Sequence, residues 1–321
     1  METPRRYPLI FNPQARSQKS DRVRRFLLEH AHRFAVHPTH HAGEARELAA
    51  RFAARGEPVV IAAGGDGTLN EVVNGLAGST TALGILPVGT MNVFARELAI
   101  PAGSLERAFA VIERGTVREV DLFEANGAPF VQMAGVGFDA QVIEQTSWQS
   151  KKRLGPLAYL LAAVQVLGER PPTLEVVCAD GRREMGVAVI TGNGSLYGGP
   201  FKFFRHADNR DSKLEVLVYK EAGYRLVLDS LRGLACGGID LLDSTTYFQT
   251  EALTVTGDRE VPVEVDGEWL GRFTQVRFAE TAHRLRVIAP ALPPADSPAG
   301  SLRSLWPWRR SRPEPPTTRV P

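Results

Sequence analysis

Val59-Val60-Ile61-Ala62-Ala63-Gly64-Gly65-Asp66-Gly67-Thr68-Leu69-Asn70-Glu71-Val72-Val73-Asn74-Gly75-Leu76 runs from five apolar residues, through three glycines and an aspartate, into helical spacing. A uniformly apolar run such as Val59 to Ala63 suits a central parallel strand that is covered on both faces. Thr68 and Glu71 have the spacing of a capping box, which predicts a helix starting at Thr68. Glycine lets a backbone approach a ligand closely, and the open N–H groups of a helix start attract anions, so this joint suits a phosphate. Asp66 complicates the picture, because a carboxylate beside a phosphate is repelled unless a cation bridges them or it handles a proton. A magnesium-bearing nucleotide resolves that conflict.

A second unit of the same kind follows. Leu83 to Leu86 reads as a strand, Pro87-Val88-Gly89-Thr90-Met91-Asn92 as its turn, and Val93 to Leu98 as a helix. Two successive strand-to-helix crossovers bring both loops to the carboxyl edge of one sheet, where open α/β folds bind ligands. Upstream, Tyr7 to Phe11 and Phe34 to His37 read as strands. Ala45, Leu48, Ala49, Phe52 and Ala53 recur at helical spacing within Glu44 to Arg55, and Gly56 stands where a left-handed cap belongs. Residues 1–123 therefore read as an α/β domain. After Phe123 the turn pairs Asn126-Gly127, Asp180-Gly181 and Asp266-Gly267 separate Val-, Phe- and Thr-rich segments, the pattern of antiparallel β-structure over 124–283. Helical interruptions are expected at Leu154 to Leu167 and Tyr224 to Ala235. The run Leu285 to Ala289 fits either sheet, so 284–292 is a candidate to rejoin the first domain.

Composition bounds the function. The 321 residues have room for two cores, and 38 Lys and Arg against 36 Asp and Glu give a near-neutral chain, unlike a dedicated nucleic-acid binder. Two cysteines, Cys178 and Cys236, provide neither a disulfide framework nor a cysteine-rich metal site. The longest apolar stretch, Leu154 to Gly168, is interrupted by Gln165 and too short to span a bilayer, and Tyr7 to Phe11 is too short for a signal core. A reducing cytosol is the expected compartment. Residues 293–321 hold eight prolines and five arginines against Asp296 and Glu314, the composition of a disordered basic tail. No Gly-Lys-Ser/Thr P-loop, His-Glu-x-x-His or Gly-x-Gly-x-x-Gly motif occurs.

Gly64 to Leu76 resembles, almost without change, the most specific motif of the diacylglycerol kinase catalytic-domain family, the bacterial lipid kinases related to eukaryotic diacylglycerol, sphingosine and ceramide kinases. Asn12-Pro13, Thr39 with Gly43 and Ala45, Pro87-x-Gly89-Thr90-x-Asn92, Tyr197-Gly198-Gly199, Ala207 with Asp211 and Leu214, and Asp266-Gly267-Glu268 follow in the family order, over about residues 7 to 290. The resemblance implies an α/β nucleotide domain, of the kind shared with NAD kinase, followed by a β-sandwich, with the active site between them. It implies that Asn12, Thr39, Gly64, Gly65, Asp66, Gly67, Thr68, Leu69, Asn70 and Thr90 line an ATP site. Catalysis falls to Glu268 and Asp266, with Asp66 near the transferred phosphate. It further implies a magnesium ion on Asp208, Asp211 and the carbonyl of Lys213, although Ser212 stands where the family usually has glycine. Val93 replaces an acidic residue common in bacterial relatives and is assigned no role. Asp121 matches an acidic position that either supports the active site or caps the crossover between domains.

The activity so implied is transfer of the γ-phosphate of ATP, with Mg2+, to a lipid hydroxyl at the membrane surface, diacylglycerol giving phosphatidic acid. From the residues alone, Asp266-Gly267 is an ordinary hairpin turn. NAD kinase shares the Gly-Gly-Asp-Gly-Thr loop and is the close rival, and a non-catalytic lipid or nucleotide sensor is the reading from another class. No nucleic acid is expected as a partner, and oligomeric state is unreadable, with a homodimer left open. Lys151-Lys152-Arg153 and Trp306, Trp308, Arg309, Arg310 and Arg312 are candidate membrane contacts, on a protein otherwise expected to be cytoplasmic. His37, His40 and His41 read as loop residues beside the nucleotide pocket rather than metal ligands.

Overall fold

The run at Val59 forms the middle of a parallel sheet. In a computed structural model, which describes residues 6–13, 20–137, 140, 171–199, 201–221 and 244–291, the first half comprises β1 (Tyr7–Phe11), α1 (Ser20–Glu29), β2 (Phe34–Pro38), α2 (Glu44–Ala54), β3 (Val59–Gly64), α3 (Asp66–Leu76), β4 (Ala82–Pro87), α4 (Val93–Glu97), α5 (Leu105–Arg114) and β5 (Thr116–Val120). The expected helices at Leu154 to Leu167 and Tyr224 to Ala235, the basic triplet at Lys151 and the tail 293–321 lie outside the described residues. The second half contributes β6 (Phe123–Ala125), β7 (Ala128–Phe130), β8 (Met133–Gly137), β9 (Leu174–Cys178), β10 (Arg183–Gly186), β11 (Ala188–Gly192), β12 (Leu196–Tyr197), β13 (Phe201–Lys202), β14 (Leu214–Tyr219), β15 (Thr245–Thr250), β16 (Ala252–Val265), β17 (Glu268–Glu280) and β18 (Leu285–Ala289).

The first sheet has the order β2-β1-β3-β4-β18-β5, parallel except at β5. Val60, Ile61, Ala62 and Ala63 are all buried, as expected of a strand covered on both faces. Phe11 pairs with both Pro38 and Ala63, and Gly64 pairs with Pro87, so four adjacent strands end level with one another. That register sends Asn12, Thr39, Gly65 and Val88 off one edge of the sheet. The final run, open to either sheet on sequence grounds, returns here as β18.

Helix α3 begins at Asp66 rather than Thr68, with Gly65 as its N-cap and no side-chain cap. The capping box does not form because both of its members have other partners. Thr68 Oγ1 accepts from Asn12 Nδ2 at 3.3 Å, and Glu71 Oε2 accepts from the N–H of Ala45 at 3.1 Å, satisfying the start of α2. Gly43, the N-cap of α2, has no side chain to do so. The glycine loop is thereby wound into the helix, and its amides form the open first turn.

The second sheet is antiparallel, with the path β15-β14-β11-β8-β16-β17-β6-β7 and with β9 and β10 attached through β16. The long strand β16 pairs with β9 over Leu253 to Gly257 and with β8 over Val263 to Val265, and its register with β17 shifts between Thr256 and Val261. Such an irregularity bends a strand and lets it serve two layers. Phe123, Phe130, Val176, Val216, Val255 and Phe278 fill the core of this sandwich. Asp121, at the crossover from the first sheet, is fully buried. Its Oδ2 accepts from Ser212 N at 2.7 Å, and Arg284 pairs with its Oδ1 at 3.0 Å, so it fastens the crossover.

The two glycine loops meet without side chains between them. A Cβ on Gly89 would lie 2.5 Å from Gly65 Cα, a backbone atom that cannot give way, whereas a Cβ on Gly103 meets nothing within 4 Å. Gly89→Ala should lower unfolding free energy by about 1–3 kcal/mol through overpacking. Gly103→Ala should leave it unchanged or slightly raised. Urea denaturation of the two variants checks both outcomes.

Candidate active site

Both glycine loops are joined through Asp66. Its Oδ2 accepts from Asn92 N at 2.9 Å and its Oδ1 from Val93 N at 2.7 Å, so the carboxylate caps α4 from a neighbouring helix. Asn92 is left-handed (φ 49°), and its Nδ2 returns to Gly89 O at 2.7 Å. Burial pushes the Asp66 pKa up, opposed by the amides of Val93 and Asn92. Asp66 therefore holds the second loop in place beside the open first turn of α3, and Val93 contributes to this through its backbone alone.

Around that turn the structure gathers the residues expected to line a nucleotide site. Asn12 follows β1 and reaches Thr68; Thr39 follows β2, buried, with its N–H on Phe11 O at 2.8 Å. Leu69 is buried under the turn, and Thr90 is exposed on the second loop. Asn70 points the other way, its Nδ2 donating to Asp266 Oδ2 at 3.1 Å. His37 packs its ring on Phe52 at 4.9 Å, and burial with Arg51 and Arg55 pushes its pKa down. His40 and His41 lie against Glu44.

Asp266 and Glu268 stand on either side of one hairpin tip, and their surroundings differ. Asp266 and Gly267 both have positive φ (49° and 83°), the geometry of a two-residue type I′ turn between β16 and β17. The Asp266 carboxylate accepts from Val131 N (3.0 Å), Gln132 N (2.9 Å), Met133 N (3.0 Å) and Asn70 Nδ2 (3.1 Å). Burial raises its pKa and these donors oppose the rise. Buried Glu264 closes the turn by accepting from Gly267 N at 2.8 Å. Glu268 is exposed, and a Cβ on Gly67 would lie 3.1 Å from its Oε1. One carboxylate is thus built into the backbone, and the other is held over the start of α3.

The Asp208–Lys213 loop carries hard oxygen donors, but Arg210 grips Asp208 through both oxygens at 2.7 Å, and Asp211 Oδ1 accepts from Lys213 N at 3.0 Å. A cation bound there would have to displace Arg210. Among the described residues no three His, Cys, Asp or Glu side chains form a metal-holding group. Ser212 adopts φ 59°, which explains why glycine is favoured there. Its N–H on Asp121 and its Oγ, which accepts from Arg284 Nη2 at 2.8 Å, hold it in that conformation.

Sequence reading gave Glu71 the wrong partner and missed Glu97, Gln132, Asn193 and Glu264. Glu97 receives four hydrogen bonds from the sandwich, and Asn193 Nδ2 donates to Asp121 O at 2.7 Å and Val131 O at 3.0 Å. Nothing in their local sequence marks them, apart from the glutamate's place at the end of the helix after the second glycine loop.

The two hairpin carboxylates separate in a stability measurement. Asp266→Asn turns an NH2 group toward backbone N–H donors and should cost about 1–3 kcal/mol, the range for buried groups left unsatisfied. Glu268→Gln should stay within about 0.5 kcal/mol of the parent, as exposed substitutions do. Urea titration of both variants decides this.

Comparison with known proteins agrees with the geometry. Residues 6–125 match the family model of the diacylglycerol kinase catalytic domain, and residues 132–289 match that of the YegS C-terminal NAD kinase beta sandwich-like domain. The chain is 31% identical over 265 residues to a diacylglycerol kinase of Bacillus subtilis (strain 168), covering 80% of this chain and 86% of that protein. It is 34% identical over 268 residues to a YegS-like lipid kinase of Pseudomonas aeruginosa, covering 80% and 85%. A crystal structure of a Bacillus anthracis str. Sterne protein superposes with TM-score 0.75 at 26% identity, over 90% of this chain and 96% of that one. One of a diacylglycerol kinase from the same organism superposes at TM-score 0.68 over 88% and 96%, and at 22% identity it speaks for the fold alone. With both halves matched in order and the glycine loops facing the sandwich hairpin, the chain belongs to the diacylglycerol kinase catalytic-domain family and is a phosphotransferase of the lipid-kinase type.

Proposed function

We propose that this kinase transfers the γ-phosphate of ATP to the hydroxyl of diacylglycerol, giving phosphatidic acid. The observation that carries the reading is the position of Glu268 Oε1 over Gly67, which sets an exposed carboxylate opposite amides that suit a phosphate. Phosphoryl transfer needs little covalent help from a protein beyond positioning, charge stabilisation and a proton acceptor. The acceptor oxygen attacks Pγ, the bond from Pγ to the bridging oxygen of the β-phosphate breaks, the hydroxyl proton passes to Glu268, and ADP leaves. Asn12, Thr39, Gly64 to Leu69 and Thr90 border the nucleotide, while the Asn70 side chain turns to Asp266. Asp266 sets the hairpin and Asp66 sets the loops, both through backbone amides. Magnesium enters with the nucleotide as part of the substrate.

Diacylglycerol as acceptor is supported by the name of the Bacillus subtilis relative. The lipid would be met at the membrane surface; among the described residues no helix is long and apolar enough to cross a membrane. Trp269, next to Glu268, is 52% exposed and offers an aromatic contact to that surface.

Purified protein with magnesium and radiolabelled ATP should label diacylglycerol in mixed micelles. Glu268→Gln should lose about 10²–10⁴-fold in kcat, the usual contribution of a general base. Label in NADP instead of lipid would transfer the chain to the NAD kinase reaction, and ATP binding without any transfer would favour a sensor.

A second magnesium ion is proposed on Asp208, Asp211 and the Lys213 carbonyl, in competition with Arg210. The Arg210–Asp208 pair is 40% and 43% exposed, so displacing it costs no more than about 1 kcal/mol. Arg210→Ala should therefore enlarge the rise in Tm produced by magnesium over EDTA. An equal rise in both proteins, or none, would remove the loop site.

A further inference from the structure

Helix α4 is fastened at both ends by carboxylates, and only the front fastening, Asp66, belongs to the glycine loops. At the rear its last residue, Glu97, crosses to the sandwich. Glu97 Oε2 accepts from Ser195 N (3.0 Å), Leu196 N (2.9 Å) and Gln132 Nε2 (2.9 Å), and Oε1 accepts from Ser195 Oγ (2.8 Å). A carboxylate with four donors from three residues is a directed anchor, because charge-assisted bonds to amides are about twice as strong as neutral ones. Gln132 is drawn into the same arrangement. Its side chain also donates to Leu196 O at 3.0 Å, its Oε1 is buried without a hydrogen-bond partner, and its backbone N–H is one of the donors to Asp266.

What Glu97 holds leads directly toward the cleft. Ser195 and Leu196 run through Tyr197 into Gly198 and Gly199, and a Cβ on Gly199 would lie 3.3 Å from Met91 Sδ on the second glycine loop. Both glycines have positive φ (59° and 128°), so this turn has a shape of its own that must be set at the right height over Met91. A continuous path results: the Asp66 carboxylate, the N–H groups of Asn92 and Val93, helix α4, the Glu97 carboxylate, and the Ser195–Gly199 turn.

We infer that Glu97 is a positioning residue that sets the Ser195–Gly199 turn of the sandwich against the second glycine loop, and thereby aligns the acceptor side of the cleft with the bound nucleotide. It touches no reacting atom. Its effect falls on acceptor alignment rather than on nucleotide binding, because the nucleotide loops retain Asp66 and the Gly65–Gly89 contact without it. The inference rests on the lipid-kinase reading for its kinetic readout and on geometry for its structural one.

The test uses full-length wild type, Glu97→Ala, Glu97→Gln and Ser195→Ala, with amide hydrogen exchange and steady-state kinetics on diacylglycerol micelles. In Glu97→Ala the amides of Ser195 and Leu196 should exchange at least about 10-fold faster, since they lose their acceptor. KM for ATP should stay within about twofold, and kcat/KM for the lipid should fall by about 10- to 100-fold, the scale of a misplacement of about 1 Å. Glu97→Gln, which retains one acceptor oxygen, should fall between, and Ser195→Ala provides a milder variant if Glu97→Ala does not fold. Unchanged exchange at Ser195 and Leu196, unchanged lipid kcat/KM, or an equal loss for ATP and lipid with a lowered Tm would each overturn the inference. A wild type that labels no lipid removes the proposed function instead, and the exchange arm still decides whether Glu97 holds the turn.

Discussion

Gly65 and Gly89 lie backbone against backbone, and the site is arranged around that closeness. A Cβ on Gly89 would lie 2.5 Å from Gly65 Cα and force the two loops apart, whereas one on Gly65 would meet Gly89 Cα at 3.4 Å. A side chain at Gly89 would therefore strain the bonds from Asp66 to the N–H groups at the start of α4, which it now meets at 2.9 and 2.7 Å. The level ending of β1 to β4 makes the approach possible, because it delivers both loops to one edge at one height. The sheet's register is thus the first cause, and the glycines are what its register requires at the point of contact.

Carboxylates perform most of the fastening from there on, and they do so by accepting backbone N–H groups rather than by pairing with cations. Asp66 caps α4, Glu71 caps α2, Asp266 gathers three consecutive amides of the loop before β8, and Glu264 closes the hairpin. A backbone amide has a position set by the fold, so a carboxylate bound to it inherits that position. A lysine or arginine partner would bring its own flexible stem. Each such anchor also makes its donors dependent on it, since a buried N–H without an acceptor costs about as much as the bond it lost. Persistence of the loop geometry follows from that dependence.

The fold was legible wherever local pattern decides it. The apolar run at Val59, the helical spacing of Ala45, Leu48, Ala49 and Phe52, and the Asn-Gly and Asp-Gly turns all appear where the residues placed them. The capping box failed for a physical reason: the partners of Thr68 and Glu71 are Asn12 and Ala45, and no local pattern shows which long-range donor outcompetes a neighbour. Leu105, Ala108, Phe109 and Ile112, preceded by Ser104 as N-cap, carried a helical signal for α5 that the reading passed over. Of the site, the motif residues were legible through the family resemblance. Glu97, Gln132 and Asn193 were not, because their meaning lies in pairings across 35 to 99 positions.

The hairpin tip shows how the two kinds of information combine. Read locally, Asp266-Gly267 is a turn, and it is one; the family resemblance implies catalytic machinery there. The two readings are compatible under the proposed function, because the turn fixes the place of the neighbouring carboxylate. A base on a flexible strand end would lose part of the advantage of proximity, which depends on holding reacting groups within a few tenths of an ångström. Tying Asp266 to four donors removes the tip's freedom and leaves Glu268, two residues on, exposed to the cleft. The buried carboxylate cannot readily take a proton from a substrate it does not face. What it supplies is a fixed place for the carboxylate proposed as the base.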